Sequence, residues 1–232
     1  MSGSGLAKAI LVHRQAVPGL ATYVAGLDAF PRRALSETAA APDASIGAPP
    51  AAPVAMVAAF VELWGEAEAL RAAVACWPEA ASAWLVEETR PADAPRSWPS
   101  GSPSPGLRRV SSVFRRPGLA RAAFAEHWRT RHAAIAMSFT VPIWRYGQNV
   151  VVEALRGDGG EDGFAVLHFR TARELAARWA EHPDEAQRGR EDAAQFMDLA
   201  RGFDAIMTET LWEAADPGAP APRGDRSADP CG

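Results

Sequence analysis

Four residues in the second half of the chain carry side chains suited to proton transfer. They are His132, Tyr146, His168 and Asp192. An imidazole titrates near neutral pH, so a histidine can take a proton from a substrate and return it. A tyrosine hydroxyl can donate a hydrogen bond to a substrate oxygen, and a carboxylate can orient an imidazole. If the fold gathers these side chains, they predict acid/base catalysis on a small molecule.

His132 lies on a stripe of large apolar residues. Phe124, Trp128, His132 and Ile135 are spaced by four, four and three residues, so they share one face of a helix. Two interpretations of His132 are open. It is either an acid/base group in a pocket or a core histidine held by a carbonyl or a carboxylate. Trp128 is likewise either a core residue or a platform for a ligand.

The other three candidates also have a structural alternative each. Alternation along the strand-like segment from Phe164 to Phe169 places His168 opposite the side chains that suit packing against helices. His168 is then either a polar pocket group or a histidine at an interface. Tyr146 either donates to a substrate or packs within its strand. Asp192 either orients a histidine or is a solvated helix charge that pairs with Arg188.

Other site chemistries find no support in the motifs. His132, His168 and Asp192 could together hold a metal, but their spacing does not require one, so we predict no metal site. The sequence has no nucleophile elbow, no phosphate-binding glycine loop and no dinucleotide fingerprint. The motifs therefore give no indication of a nucleotide-binding or dinucleotide-binding site.

Composition excludes several classes of partner. The net charge is −4, whereas nucleic-acid binding needs clustered basic residues. No run approaches the roughly 20 apolar residues that span a bilayer, and the N-terminus lacks the features of a signal peptide. Cys76 and Cys231 are too few and too far apart for a disulfide framework. We expect a cytoplasmic protein that binds neither nucleic acid nor membrane.

Periodicity predicts alternating strands and helices in both halves. In the first half the predicted order is strand, helix, loop, strand, helix, strand, at Lys8–His13, Leu20–Phe30, Ser36–Pro53, Val54–Leu63, Glu66–Cys76 and Ala83–Thr89. In the second half the predicted strands and long helix lie at Val110–Phe114, Leu119–Met137, Ile143–Val152 and Gly163–Phe169, before further helices and a last strand.

Two Pro-rich segments bound the second half. Pro91 to Gly106 holds five prolines in 16 residues, which predicts a mobile, extended linker. The segment 214–232 lacks periodicity and predicts a disordered tail. The predicted domains are therefore residues 1–90 and 107–213, joined by the linker 91–106.

The two halves look like copies of one unit. Pro18-Gly19-Leu20 matches Pro117-Gly118-Leu119, and this match places Arg33 near the position of His132. We therefore predict a divergent tandem repeat of ferredoxin-like βαββαβ modules, an α+β fold, in which the first copy is degenerate.

The second half resembles the EthD family from Leu107 to Trp212. The matching positions, in order, are Pro117-Gly118-Leu119, Phe124, Trp128, Arg131-His132, Tyr146, Gln148-Asn149, the strand Gly163–Phe169, Asp192 and Phe196. Ala120 and Ala123 depart from the family, which often has Ser or Thr and Glu there. The resemblance implies that two modules close one α+β barrel, here as an intramolecular dimeric α+β barrel. It leaves open whether such pseudodimers form homodimers.

The resemblance also implies a site and a function. The pocket would lie between the open sheet face and the partner module, with His132, Tyr146, His168 and Asp192 as catalytic residues. Substrate-contacting residues would be Trp128, Phe114, Asn149, Phe164 and Phe196. The implied activity is that of a cofactor-independent lyase, isomerase or cyclase acting on a small aromatic or polyketide-like molecule. The alternative is a non-catalytic binding or accessory protein of an oxidative degradation pathway.

Overall fold

Eight antiparallel strands close into a barrel in the computed structural model, which describes residues 6–39, 57–78, 81–157 and 160–214. The strands are β1 (Ala7–His13), β2 (Arg32–Thr38), β3 (Ala59–Gly65), β4 (Ser82–Asp93), β5 (Leu107–Val113), β6 (Arg145–Arg156), β7 (Gly163–Phe169) and β8 (Asp204–Glu213). Their order around the barrel is β1-β3-β2-β8-β5-β7-β6-β4, and β4 pairs with β1 to close it.

The strand order divides the barrel into two arcs. One arc runs β4-β1-β3-β2 and the other runs β8-β5-β7-β6, so each uses four consecutive strands in the same relative order. The arcs meet where β2 pairs with β8 and where β4 pairs with β6. Closure leaves no unpaired edge among the described strands, because each arc supplies the partners that the other arc's edge strands need.

The helices cover the outside of the barrel. They are α1 (Leu20–Ala25), α2 (Ala67–Ala75), α3 (Arg121–His127), α4 (Ala133–Met137), α5 (Ala172–Ala180) and α6 (Pro183–Phe196), with a π-helical turn (Trp128–His132) joining α3 to α4. Leu70 and Val74 of α2 pack with outward residues of the first arc, and Phe124 and Phe196 pack on the second arc. No helix in the described part of the chain is long and apolar enough to cross a bilayer.

The barrel interior is apolar at one end and charged at the other. Ile10, Phe60, Trp84 and Phe164 form the core of the apolar end. At the other end, Lys8 Nζ lies 2.7 Å from Glu62 Oε1 and 2.6 Å from Glu88 Oε1. Arg108 contacts Glu62 and Glu209 at 2.6 and 3.0 Å. Such buried charges persist because each is paired, since an unpaired one would cost several kcal/mol.

The first half differs from its predicted elements at β2. Residues Arg32–Thr38 form this strand, so the prediction of a loop beginning at Ser36 is wrong at its start. Helix α1 ends at Ala25 rather than Phe30, because Gly26 caps it. Arg33 therefore lies in a strand, where its side chain donates to the Val24 and Phe30 carbonyls at 2.9 and 3.2 Å. It does not match His132 in position or in role.

The predicted linker is docked on the barrel. Its first residues belong to β4, which extends to Asp93. The Gly101 and Ser104 backbone N–H groups donate to the Leu211 and Glu209 carbonyls at 2.9 and 2.7 Å. The expectation of a mobile linker is wrong, because β8 extends past the end of β5 and its backbone groups take this segment as a partner. Residues 40–56 of the predicted loop and strand, and the predicted tail from 215, lie outside the described residues.

Candidate active site

The helical segment that carries His132 changes geometry at its centre. It begins at Arg121 and ends at Met137, and the turn from Trp128 to His132 is π-helical. A π turn inside an α-helix is uncommon and is frequent at functional sites. Gln148 of β6 donates its Nε2–H to the Trp128 carbonyl at 2.8 Å. This bond joins the π turn to the sheet.

Asp192 holds His132 in one orientation. The Nδ1 atom of His132 lies 2.9 Å from Oδ2 of Asp192, which is 3% exposed on α6. The same carboxylate accepts from His127 Nε2 at 3.0 Å and from Arg131 Nε at 2.9 Å. Because a carboxylate only accepts hydrogen bonds, Nδ1 of His132 carries a proton and Nε2 keeps its lone pair in the neutral ring. No partner for Nε2 is present among the described residues.

The surroundings of His132 favour its neutral form. Burial is the largest cause that lowers the pKa of His132, and the nearby charges of His127 and Arg178 act in the same direction. Asp192 opposes them but does not outweigh them. A pKa below the ordinary value of about 6.5 leaves the ring neutral at pH 7, with Nε2 ready to accept a proton.

A cavity of about 460 Å³ borders His132. It lies between the outer face of β5, β6 and β7 and the helices α4, α5 and α6. Its lining includes Trp128, His132, Phe139, Tyr146, Arg178 and Trp179. The volume falls within the range of small-molecule sites, which are mostly apolar with a few polar groups that orient the ligand.

The hydroxyl of Tyr146, which borders this cavity, has a proton available for donation. It accepts from Trp128 Nε1 at 3.3 Å and from Gln148 Nε2 at 3.1 Å. Both acceptor positions are therefore used, and no acceptor for the hydroxyl proton is found in the described part of the chain. Burial raises the pKa of Tyr146, so the hydroxyl stays protonated at neutral pH.

Arg178 is a cavity residue that the sequence analysis missed. It lies on α5, is 2% exposed, and borders the cavity with Trp179. One signal was present in the sequence. Leu175, Arg178 and Trp179 follow the spacing of a buried helical stripe, and an arginine within such a stripe needs a partner.

Three predicted site residues lie on the other side of the sheet. Asn149 accepts from Lys8 Nζ at 2.7 Å, and Phe164 packs in the apolar end of the barrel. His168 Nε2 donates to the Pro105 carbonyl at 2.8 Å, and burial lowers its pKa to about 4. His168 and Glu209 border a small interior space of about 40 Å³, room for only a few waters. The structure does not bring these residues together with His132.

The pocket expected between the two modules is therefore corrected in position. The larger cavity lies under the helices of the second half and not in the barrel interior. Among the described residues, aromatic side chains fill one end of the interior and paired charges fill the other.

The two remaining predicted substrate-contacting residues, Phe196 and Phe114, lie outside the cavity lining. Phe196 stacks on His127 with ring centroids 4.7 Å apart and packs against His132 at 5.1 Å. The ring centre of Phe114 lies 4.1 Å from the guanidinium carbon of Arg201. Neither is a cavity-lining residue, whereas Trp128 and Tyr146 are.

No family model matches the sequence, and no curated protein sequence matches it. Among solved structures, an anthrone oxidase-like protein matches with a TM-score of 0.61 and 9% identity, covering 94% of this chain and 98% of that chain. A candidate monooxygenase from Lactobacillus acidophilus NCFM has a TM-score of 0.49 and 8% identity, with 90% and 97% covered. The first match shows that the chain shares the fold of that protein.

Proposed function

We propose that this protein is an acid/base enzyme that acts on a small aromatic molecule in the cavity beside His132. The observation that carries the proposal is the hydrogen bond from His132 Nδ1 to the buried Asp192 carboxylate at 2.9 Å. This bond leaves Nε2 as the free base of a neutral imidazole at the wall of a cavity.

The proposed chemistry begins with proton removal from a carbon next to a carbonyl group. The C–H bond breaks, His132 Nε2 gains the proton, and the electron pair moves to the carbonyl oxygen as an enolate. Tyr146 donates a hydrogen bond to that oxygen, and Asp192 stabilises the imidazolium that forms. Return of the proton at another carbon gives an isomerase, loss of a leaving group gives a lyase, and ring closure gives a cyclase.

The cavity supports an aromatic substrate. Trp128, Phe139 and Trp179 supply flat apolar walls, and aromatic rings favour offset or edge-on contacts with such side chains. The first structural neighbour is named for an anthrone, an aromatic ketone with an acidic CH₂ group. Enolisable aromatic ketones are therefore the compounds to test first.

We also infer that the chain is an intramolecular pseudodimer of two EthD-like modules. Support comes from the identical relative strand order of the two arcs. Further support comes from the matching Pro-Gly-Leu turns, where Gly19 and Gly118 take φ values of 76° and 82°. The inference predicts that one chain folds by itself, so dilution in sedimentation experiments should give a monomer that keeps its circular dichroism spectrum. A chain that unfolds whenever it becomes monomeric would contradict the inference.

The test of the activity is deuterium incorporation. A panel of enolisable aromatic ketones is incubated with the protein in D₂O, and mass spectrometry follows exchange at the acidic carbon against a protein-free control. The proposal predicts accelerated exchange of at least one compound. Saturable binding of these compounds without any exchange would instead identify the non-catalytic binding protein that is the alternative.

A further inference from the structure

Arg178 is a buried cation without a carboxylate partner. Its side chain lies inside the helix layer, and no Asp or Glu oxygen of the described residues comes within the 4.0 Å distance of an ion pair. By contrast, Arg109, which borders the same cavity, is paired with Asp204 at 2.9 and 2.8 Å. Isolated buried charges are costly, so they are normally paired or serve a ligand.

Only some of the N–H donors of the Arg178 guanidinium have an acceptor among the described residues. Nη2 donates to the Ala136 carbonyl at 2.7 Å, and Nη1 donates to the Val141 carbonyl. The guanidinium carbon lies 4.5 Å from the ring centre of Phe139. A guanidinium has five N–H donors, so these two bonds position the group and leave further donors on a side chain that borders the cavity.

The charge of Arg178 reaches both proposed catalytic side chains. Burial lowers the pKa of Arg178 to about 10, so the group is still cationic at neutral pH. Its charge acts to lower the pKa of Tyr146 and of His132. A negative oxygen placed at the Tyr146 hydroxyl would therefore experience a positive field from Arg178 in a site of low dielectric constant.

We propose that the cavity selects aromatic molecules that carry an anionic oxygen, such as a carboxylate, a phenolate or an enolate, and that Arg178 is the residue that binds this oxygen. The ring of the ligand lies against Trp128, Phe139 and Trp179, and Tyr146 donates to the same oxygen. This proposal rests on the proposed function, because it uses the same cavity as the substrate site. It adds that the substrate, or the enolate formed from it, is negatively charged.

The test compares two fluorescent probes that differ in charge. The first is 1-anilinonaphthalene-8-sulfonate, an anion, and the second is N-phenyl-1-naphthylamine, its uncharged analogue. In Arg178→Met we expect the Kd of the anionic probe to rise about tenfold or more, which corresponds to about 1.4 kcal/mol. The Kd of the uncharged probe should stay within about twofold. Equal effects on both probes, or no effect on either, would overturn the proposal.

Two controls locate the effect. Arg190→Met removes an exposed cation from the same cavity wall and should leave both probes unchanged. If Arg178→Met fails to fold because the Ala136 and Val141 carbonyls lose their donor, Arg178→Gln takes its place. The glutamine keeps N–H donors but carries no charge, so it should weaken binding of the anionic probe and still spare the uncharged probe. Unchanged binding of the anionic probe by a folded Arg178→Gln protein would overturn the proposal.

A third variant separates this inference from the activity. His132→Gln should keep the preference for the anionic probe, because it removes the base and not the cation. If the wild-type protein binds the anionic probe selectively but exchanges no deuterium, the proposed function is refuted and the anion site is not. The opposite outcome is also possible. If Arg178→Met exchanges deuterium at the wild-type rate and binds both probes as the wild type does, the anion site is refuted and the proposed activity is not.

Discussion

The Nδ1 atom of His132 and the Oδ2 atom of Asp192 are 2.9 Å apart although the residues are 60 positions apart in the chain. This bond connects the π turn to α6. It is compatible with both interpretations of His132, since a buried carboxylate holds the ring in place and His132 also borders the cavity. The two interpretations are separated by the variants described below.

Substitution of Asp192 should move the titration of His132 to lower pH. The Asp192 carboxylate raises the pKa of His132 against the larger effect of burial, so Asp192→Asn removes a stabiliser of the imidazolium. We expect the inflection in an NMR titration of the His132 ring to fall in the variant, together with the exchange rate at pH 7. Asp198→Asn, a carboxylate of the same cavity, is the control, and an upward shift in Asp192→Asn would refute this electrostatic account.

Removal of His132 should affect activity more than stability. Asp192 keeps two donors, His127 and Arg131, when His132 is lost. We therefore expect His132→Ala to reduce the free energy of unfolding by only about 1 kcal/mol and to abolish exchange. His127→Ala is the matched control, because it loses a bond to the same carboxylate. It should show a similar stability loss with activity retained, and a loss well above 2 kcal/mol in His132→Ala alone would favour a purely structural histidine.

His168 should make the protein less stable in acid. Its pKa is lowered to about 4 in the folded state from about 6.5 in the unfolded chain. Between these values the unfolded state binds the additional proton, so stability is present above about pH 6.5 and is lost as pH falls towards 4. The loss should be on the order of 3 kcal/mol, measured by denaturant unfolding at pH 7 and pH 4. His168→Gln should remove this part of the pH dependence, and His182→Gln should not.

Gly163 should tolerate no side chain. A Cβ there would lie 2.5 Å from Cζ3 of Trp128 and 2.8 Å from the Asn149 carbonyl oxygen. Gly163→Ala should therefore push the cavity wall at Trp128 and destabilise the fold by about 1–3 kcal/mol. Gly26→Ala meets nothing closer than 3.6 Å, so its melting temperature should match that of the wild type. Equal melting temperatures for the two variants would show that Trp128 moves freely.

Local patterns predicted much of the fold and less of the site. The alternation in β7 placed His168 and Leu167 on opposite faces, and the Pro-Gly-Leu turns lie where the repeat predicted them. Strand β2 was missed because Arg32–Thr38 mixes charged and small residues without a clear apolar face. Arg178 was missed because its isolation from carboxylates is a property of tertiary packing. The side of the sheet on which the cavity lies depends on how α5 and α6 stand away from the barrel, and spacing along the chain does not encode that.

The most direct test of the account is the rate of deuterium exchange into an aromatic ketone by two matched variants. His132→Gln and His127→Gln each lose one bond to Asp192, but only His132 borders the cavity. General acid/base catalysis contributes about 100-fold or more, so we predict that His132→Gln loses exchange by that factor while His127→Gln stays near the wild-type rate. Exchange by His132→Gln at the rate of His127→Gln would contradict the assignment of His132 as the base.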